Sequence, residues 1–85
     1  MTETAEARLK RLSMRSWRRG MKEMDLILGR YADERLAALD DPTLAAYEAL
    51  LDENDQDLYR WVSGSVAAPA AHAPAIRRIA DFHGI

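Results

Sequence analysis

An all-α fold, a small bundle of about five short helices, is what this sequence predicts, and three observations predict it. Apolar residues recur at spacings of three and four in every segment long enough to judge. No alternating period-two run of strand length occurs. Glycine, proline and capping residues punctuate the chain at intervals that suit short helices.

The elements follow in order. Leu9, Leu12 and Trp17 fall near one face of a first helix, and Met21, Met24, Leu28 and Tyr31 form the stripe of a second. Arg19-Gly20 lies between them, where glycine takes a left-handed or tightly turned conformation without a side-chain penalty. Asp41-Pro42 starts a third helix: aspartate caps, proline fits the first helical position, and Leu44, Tyr47 and Leu51 follow, with the end expected near Asp52. Asn54 or Asp55 caps a fourth helix carrying Leu58, Trp61 and Val62, which Gly64 stops. Pro69 and Pro74 bracket the entry to a fifth with Ile76, Ile79 and Phe82. One domain without internal repeats results, with residues 1–7 expected as a flexible N-terminus and residues 65–85 as the C-terminal helical segment.

Composition narrows the function classes. The chain has 85 residues, 48% hydrophobic and 31% charged, and no cysteine, so it has neither a disulfide staple nor a thiolate zinc site. No apolar stretch approaches the roughly 20 residues of a membrane-spanning helix, so no membrane insertion is expected. Met1 to Ala7 lack the layout of a secretory signal, from which a cytoplasmic location is expected. Charge divides along the chain: residues 8–22 hold seven of the twelve basic residues and no acid, whereas Glu23 to Asp57 contain eleven acids against Arg30 and Arg35. A basic end and an acidic end are expected, a polarity that suits docking to a protein or weak nucleic-acid binding.

Catalytic constellations fail one by one. His72 and His83 lack the spacing that puts two imidazoles on one helix face, so no metal site is expected. Ser13, Ser16, Ser63 and Ser65 have no base placed to activate them, and capping or solvation explains them. The cluster Asp52, Glu53, Asp55, Asp57 lacks the glycine and the closing glutamate of an EF-hand loop. Gly20, Gly29, Gly64 and Gly84 stand singly, so no dinucleotide fingerprint or phosphate loop is present. Trp61 and Tyr47 read as core, Met21 and Met24 as a core stripe, and Trp17 as packing under the first helix break or facing a partner.

The run Arg18-Arg19-Gly20-Met21-Lys22-Glu23-Met24-Asp25 stands out. Glu23 and Asp25 in the first turns of a helix interact favourably with its dipole, and the two arginines before the break are close enough to Glu23 to build one exposed charged patch at a helix corner.

That run resembles the RGxxE signature of the small succinate dehydrogenase assembly factors, the family called SdhE in bacteria. A second block agrees: Leu50-Leu51-Asp52-Glu53-Asn54-Asp55-Gln56-Asp57-Leu58-Tyr59-Arg60-Trp61-Val62 is similar to the family's acidic Leu-Leu, Asp-Leu, aromatic and Trp segment. The resemblance covers roughly residues 8–64, and the five-helix organisation is the family's fold. Thr43 to Tyr47 depart from it by lacking an acid near the start of the third helix. The resemblance implies a chaperone-like assembly factor, not an enzyme, with no cofactor of its own. Its partner would be the immature flavoprotein subunit of succinate dehydrogenase, fumarate reductase or both, to which FAD is attached covalently when a client histidine attacks the flavin 8α-methyl carbon. The client-binding positions it implies are Arg19, Gly20 and Glu23, flanked by Arg18 and Asp25. Arg19 would offer its fork to client oxygens, Glu23 would pair with a basic client group, and Gly20 would allow close approach. No nucleic acid is expected and a monomer is expected. The competing class is a nucleic-acid-binding or antitoxin-like regulator using residues 8–22, against which the pI near 5.6 and the acids of residues 23–57 weigh. A small hydrolase has no supporting constellation.

Overall fold

A computed structural model describes residues 2–85. Its helices are α1 (Ala5–Trp17), α2 (Lys22–Arg35), α3 (Asp41–Leu50), α4 (Asp55–Ser63) and α5 (Ala73–His83), with no strand among the described residues. A short 3-10 turn, Leu36–Ala38, prolongs α2 and buries Leu36.

Each boundary has a local cause. The Thr4 hydroxyl accepts from the Ala7 N–H at 3.0 Å, so α1 begins inside the stretch expected to be flexible. Asp40, not Asp41, caps α3 by accepting from the Thr43 N–H at 2.9 Å. Pro42 then stands at the second helical position, where the missing N–H again costs no intrahelical bond. Asn54 caps α4 through the Asp57 N–H at 2.9 Å, and Gly64 ends that helix with φ of +84°. The third helix stops at Leu50, two residues before the expected end, and Leu51–Glu53 form a turn in which the Leu51 and Glu53 carbonyls accept from Arg19.

Helix α2 is the centre of the bundle, packed against α1, α4 and α5. Met24 and Leu28 are fully buried on it, joined by Leu12 of α1, Leu50 of α3, Leu58 of α4 and Ile79 of α5. Tyr47 is 1% exposed, and its ring lies 5.5 Å from that of Tyr31, which meets Phe82 edge-on at 5.6 Å. Trp61 is half-buried at the core margin, stacked on His72 at 5.8 Å. No helix among the described residues is long and apolar enough to cross a membrane.

One serine departs from the expected capping and solvent roles. Ser16 is fully buried, its hydroxyl 2.7 Å from the Leu12 carbonyl and 2.6 Å from the Tyr47 hydroxyl. Donation to Leu12 leaves Ser16 Oγ free to accept from Tyr47, so both buried hydroxyls are satisfied. Burial pushes the Tyr47 phenol well above its ordinary range.

The expected basic and acidic ends do not separate. Arg8 and Arg11 of α1 pair with Glu48 of α3 at 3.2 and 2.9 Å, and Arg15 pairs with Asp52 at 3.0 Å. Opposite charges far apart in sequence are folded against each other, and attraction between them favours that arrangement over two poles.

Candidate functional site

The corner between α1 and α2 is built by a chain reversal over Arg18–Met21. Arg18 closes α1 with φ of −121° and ψ of 54°, and Gly20 turns the backbone with φ of +90°, a value other residues reach only with strain. Met21 then enters α2 without a side-chain cap. Asp25, one turn into α2, does not cap that helix but fixes the turn before it: its Oδ1 accepts from the Arg19 N–H at 2.6 Å and ties the reversal to the helix start.

The Arg19 side chain turns inward. Its Nε donates to Asp55 Oδ1 at 2.8 Å, Nη1 to the Leu51 carbonyl at 2.7 Å and Nη2 to the Glu53 carbonyl at 2.7 Å. The side chains of Arg19 and Asp55 are only 11% and 18% exposed. A planar fork suits this position because it reaches three acceptors in fixed directions, two of them carbonyls left over beyond the end of α3. Arg19 thereby rivets the α3–α4 turn to the α1–α2 corner.

The five residues expected as client-binding therefore gather at one corner but divide in two. Arg19 and Asp25 face inward and hold the turn. Arg18, Gly20 and Glu23 are exposed, and a Cβ built on Gly20 would meet nothing within 4 Å. The expected patch in which the arginines pair with Glu23 does not form. Asp55, 36 residues away in sequence, takes the Arg19 guanidinium instead, and neither Arg18 nor Glu23 has an ion-pair partner among the described residues.

Beside the corner lies an arrangement that residue spacing did not reveal. The Trp17 ring lies flat against Gly29 of α2, so closely that a Cβ there would stand 2.6 Å from Trp17 Cε3. The Trp17 indole N–H donates to Asp33 Oδ2 at 3.1 Å, and Ser13 donates to Asp33 Oδ1 at 3.0 Å. A glycine in mid-helix was the available signal, since it weakens a helix unless something needs the space.

The two histidines are occupied separately. His83 Nε2 donates to the Ile27 carbonyl at 2.7 Å, and His72 Nε2 lies 3.4 Å from Glu53 Oε2. No group of three or more histidine, aspartate or glutamate side chains among the described residues is arranged to hold a metal ion.

The sequence model of the family described as flavinator of succinate dehydrogenase matches residues 10–83, from the middle of α1 through α5, and so extends past the residue 64 limit of the RGxxE-based resemblance. A protein of Meyerozyma guilliermondii named succinate dehydrogenase assembly factor 2, mitochondrial, is 44% identical over 61 residues, which are 72% of this chain and 45% of that one. A protein of the same name from Schizosaccharomyces pombe is 40% identical over 67 residues, 79% of this chain and 48% of that one. In Drosophila mojavensis, succinate dehydrogenase assembly factor 2-B, mitochondrial, is 32% identical over 83 residues, 95% of this chain and 53% of the other. The chain thus spans about half the length of these curated relatives. Since the match runs from α1 across the RGxxE corner to the last helix, the chain belongs to the family of succinate dehydrogenase flavinators.

Proposed function

We propose that this protein is a chaperone-like assembly factor that binds the immature flavoprotein subunit of succinate dehydrogenase through the corner formed by Arg18, Arg19, Gly20, Glu23 and Asp25, and promotes covalent attachment of FAD to that subunit. The observation that carries the reading is the division of labour at the corner. Arg19 and Asp25 fix the turn from inside, while Arg18, Gly20 and Glu23 stand exposed on it. A preorganised surface of this kind loses little ordering entropy on binding. Arg18 and Glu23 offer one cation and one anion, and bare Gly20 admits a partner's backbone between them.

The reacting groups, histidine and flavin, belong to the client, and the assembly factor contributes no acid, base, nucleophile or cofactor. Binding preferentially to the client conformation in which those groups are aligned raises its population, and a tenfold preference corresponds to about 1.4 kcal/mol. Fumarate reductase, whose flavoprotein presents the same type of reaction, is a second proposed client. The protein acts as one helical domain and as a monomer, in the cytoplasm by the sequence expectation; the names of the relatives say mitochondrial of those proteins.

The test is in-gel flavin fluorescence of the succinate dehydrogenase flavoprotein in cells lacking the gene, complemented with wild type or Glu23→Ala. Restoration by wild type and loss with the variant at equal protein level supports docking through Glu23. Full flavinylation without the gene would remove the assembly-factor reading.

A further inference from the structure

Tyr31 of α2 is 3% exposed and its ring packs on those of Tyr47 and Phe82, yet its hydroxyl has no hydrogen-bond partner among the described residues. A buried phenol of this kind ordinarily finds one. The hydroxyl is not sealed inside the core, because the fully buried side-chain polar atom left without a partner among the described residues is His72 Nδ1. It opens instead into the cleft that Tyr31 lines with Arg35, Leu39, Arg78, Asp81 and Phe82, a space of about 350 Å³ between the C-terminal part of α2 and α5.

Two cations act on that hydroxyl. Burial raises the Tyr31 phenol above its ordinary range and the positive charges of Arg78 and Arg35 pull it back, so it stays protonated at neutral pH and has an O–H to donate. Arg35 Cζ lies 5.1 Å from the centroid of the Phe82 ring, which keeps the guanidinium beside the cleft. Neither Arg35 nor Arg78 makes an ion pair among the described residues. Asp81 shares the cleft without pairing to either, and Asp40, which also feels the Arg78 charge, is committed to capping α3.

We infer that this cleft binds a monocarboxylate with a short apolar body, its oxygens accepting from the Tyr31 hydroxyl and the Arg35 and Arg78 guanidiniums and its apolar part lying on Leu39 and Phe82. The donor set selects the group: a buried O–H in need of an acceptor, beside two planar forks that match a carboxylate in shape. Asp81 sets the limit, since a second negative charge on the ligand would meet it. A buried aromatic floor, apolar walls and a few convergent polar groups are the usual composition of a small-ligand site. The carboxylate can come from a free acid or from the C-terminus of a partner polypeptide, which present the same chemistry. The cleft lies toward the opposite end of α2 from the corner at residues 18–25, so this inference stands apart from the assembly-factor reading.

The test is amide NMR of the full chain titrated with butyrate, with succinate and with an N-acetylated peptide ending in a free leucine carboxylate, on wild type, Tyr31→Phe, Arg78→Gln and Asp81→Asn. Butyrate or the peptide is expected to shift the Leu39, Arg78 and Phe82 signals to saturation while those of residues 21–25 stay in place. Tighter binding of the peptide assigns the site to a chain terminus, and butyrate binding at least as tightly assigns it to a free acid. Tyr31→Phe removes only an oxygen that bonds nothing in the chain, so the fold is kept and affinity should fall about tenfold. Arg78→Gln, at an exposed position, should lower it by a similar factor. Succinate should bind wild type more weakly than butyrate and recover in Asp81→Asn. No saturable shift with butyrate or the peptide overturns the inference. So does unchanged affinity in Tyr31→Phe or Arg78→Gln, which would mark general attraction of anions to the surface, and so does a preference of wild type for succinate over butyrate.

Discussion

Replacing Gly29 by alanine separates two opposing effects that the structure places at one position. In an exposed mid-helix position the change stabilises by about 1 kcal/mol, because glycine gives up more backbone entropy on folding than alanine. Here the new Cβ would enter the Trp17 ring, 2.6 Å from Cε3, so the ring must leave its seat. If it swings outward and re-exposes roughly 50 Å² of apolar surface, the loss is about 1.3 kcal/mol. Breaking the indole bond to Asp33 adds about 1 kcal/mol. The net expectation is destabilisation by about 1 kcal/mol, a fall in Tm of about 4–8 °C for a domain of this size. In a Trp17→Ala background there is no ring to displace, and Gly29→Ala should become stabilising by about the same amount. Urea unfolding of the four proteins in this cycle, followed by circular dichroism, measures the change of sign. The same effect of Gly29→Ala in both backgrounds would refute the seat that the ring and the glycine are argued to form.

Arg19→Ala leaves Asp55 without its partner and the Leu51 and Glu53 carbonyls without their donors, for an expected loss of about 2–3 kcal/mol by denaturant unfolding. Arg19→Lys should recover less than half, since an ammonium does not reach three diverging acceptors. Gly20→Arg asks an L-residue to adopt φ of +90°, costing about 1–2 kcal/mol, yet its side chain enters open space; the variant should remain helical by circular dichroism while client flavinylation falls. Burial raises the folded-state pKa of Tyr47 above its unfolded value near 10, so its contribution to stability is complete below that pH and declines as the pH rises above it. Tyr47→Phe should flatten this alkaline decline in thermal melts, at a cost of about 1 kcal/mol for the lost bond to Ser16.

Local signals made most of the fold legible. Thr43 to Leu51 show helical period, Asn54 is a strong cap, and Gly64 takes the left-handed value that its position after Val62 and Ser63 suggests. What was hidden depends on contacts between distant residues. Asp55 reads as a helix-start acid from its neighbours alone, and only the fold brings it to Arg19. Ser16 reads as a solvated serine in a basic helix until Tyr47, 31 residues away, arrives beside it. Three- and four-residue spacing reports which face of a helix is apolar but not which polar groups on different helices meet. The same reason explains why the basic run of α1 suggested a pole, although Glu48 and Asp52 neutralise much of it.

The division at the corner bears on how its residues are tested. Arg19 belongs to the RGxxE pattern, yet its guanidinium is engaged with three acceptors of its own chain, so removing it disturbs the α3–α4 turn as well as any docking surface. A loss of flavinylation in an Arg19 variant therefore follows from either cause and discriminates between none. Glu23 is different: its carboxylate is exposed and without an ion-pair partner among the described residues, so its removal should leave stability within about 0.5 kcal/mol of wild type. Only residues whose loss leaves the unfolding curve in place report on recognition, and at this corner Glu23 and Arg18 meet that condition while Arg19 and Asp25 do not. The physical role of the pattern is thus twofold. One part makes the turn rigid and the other faces outward from it, and the proposed docking would use the second because the first holds it still.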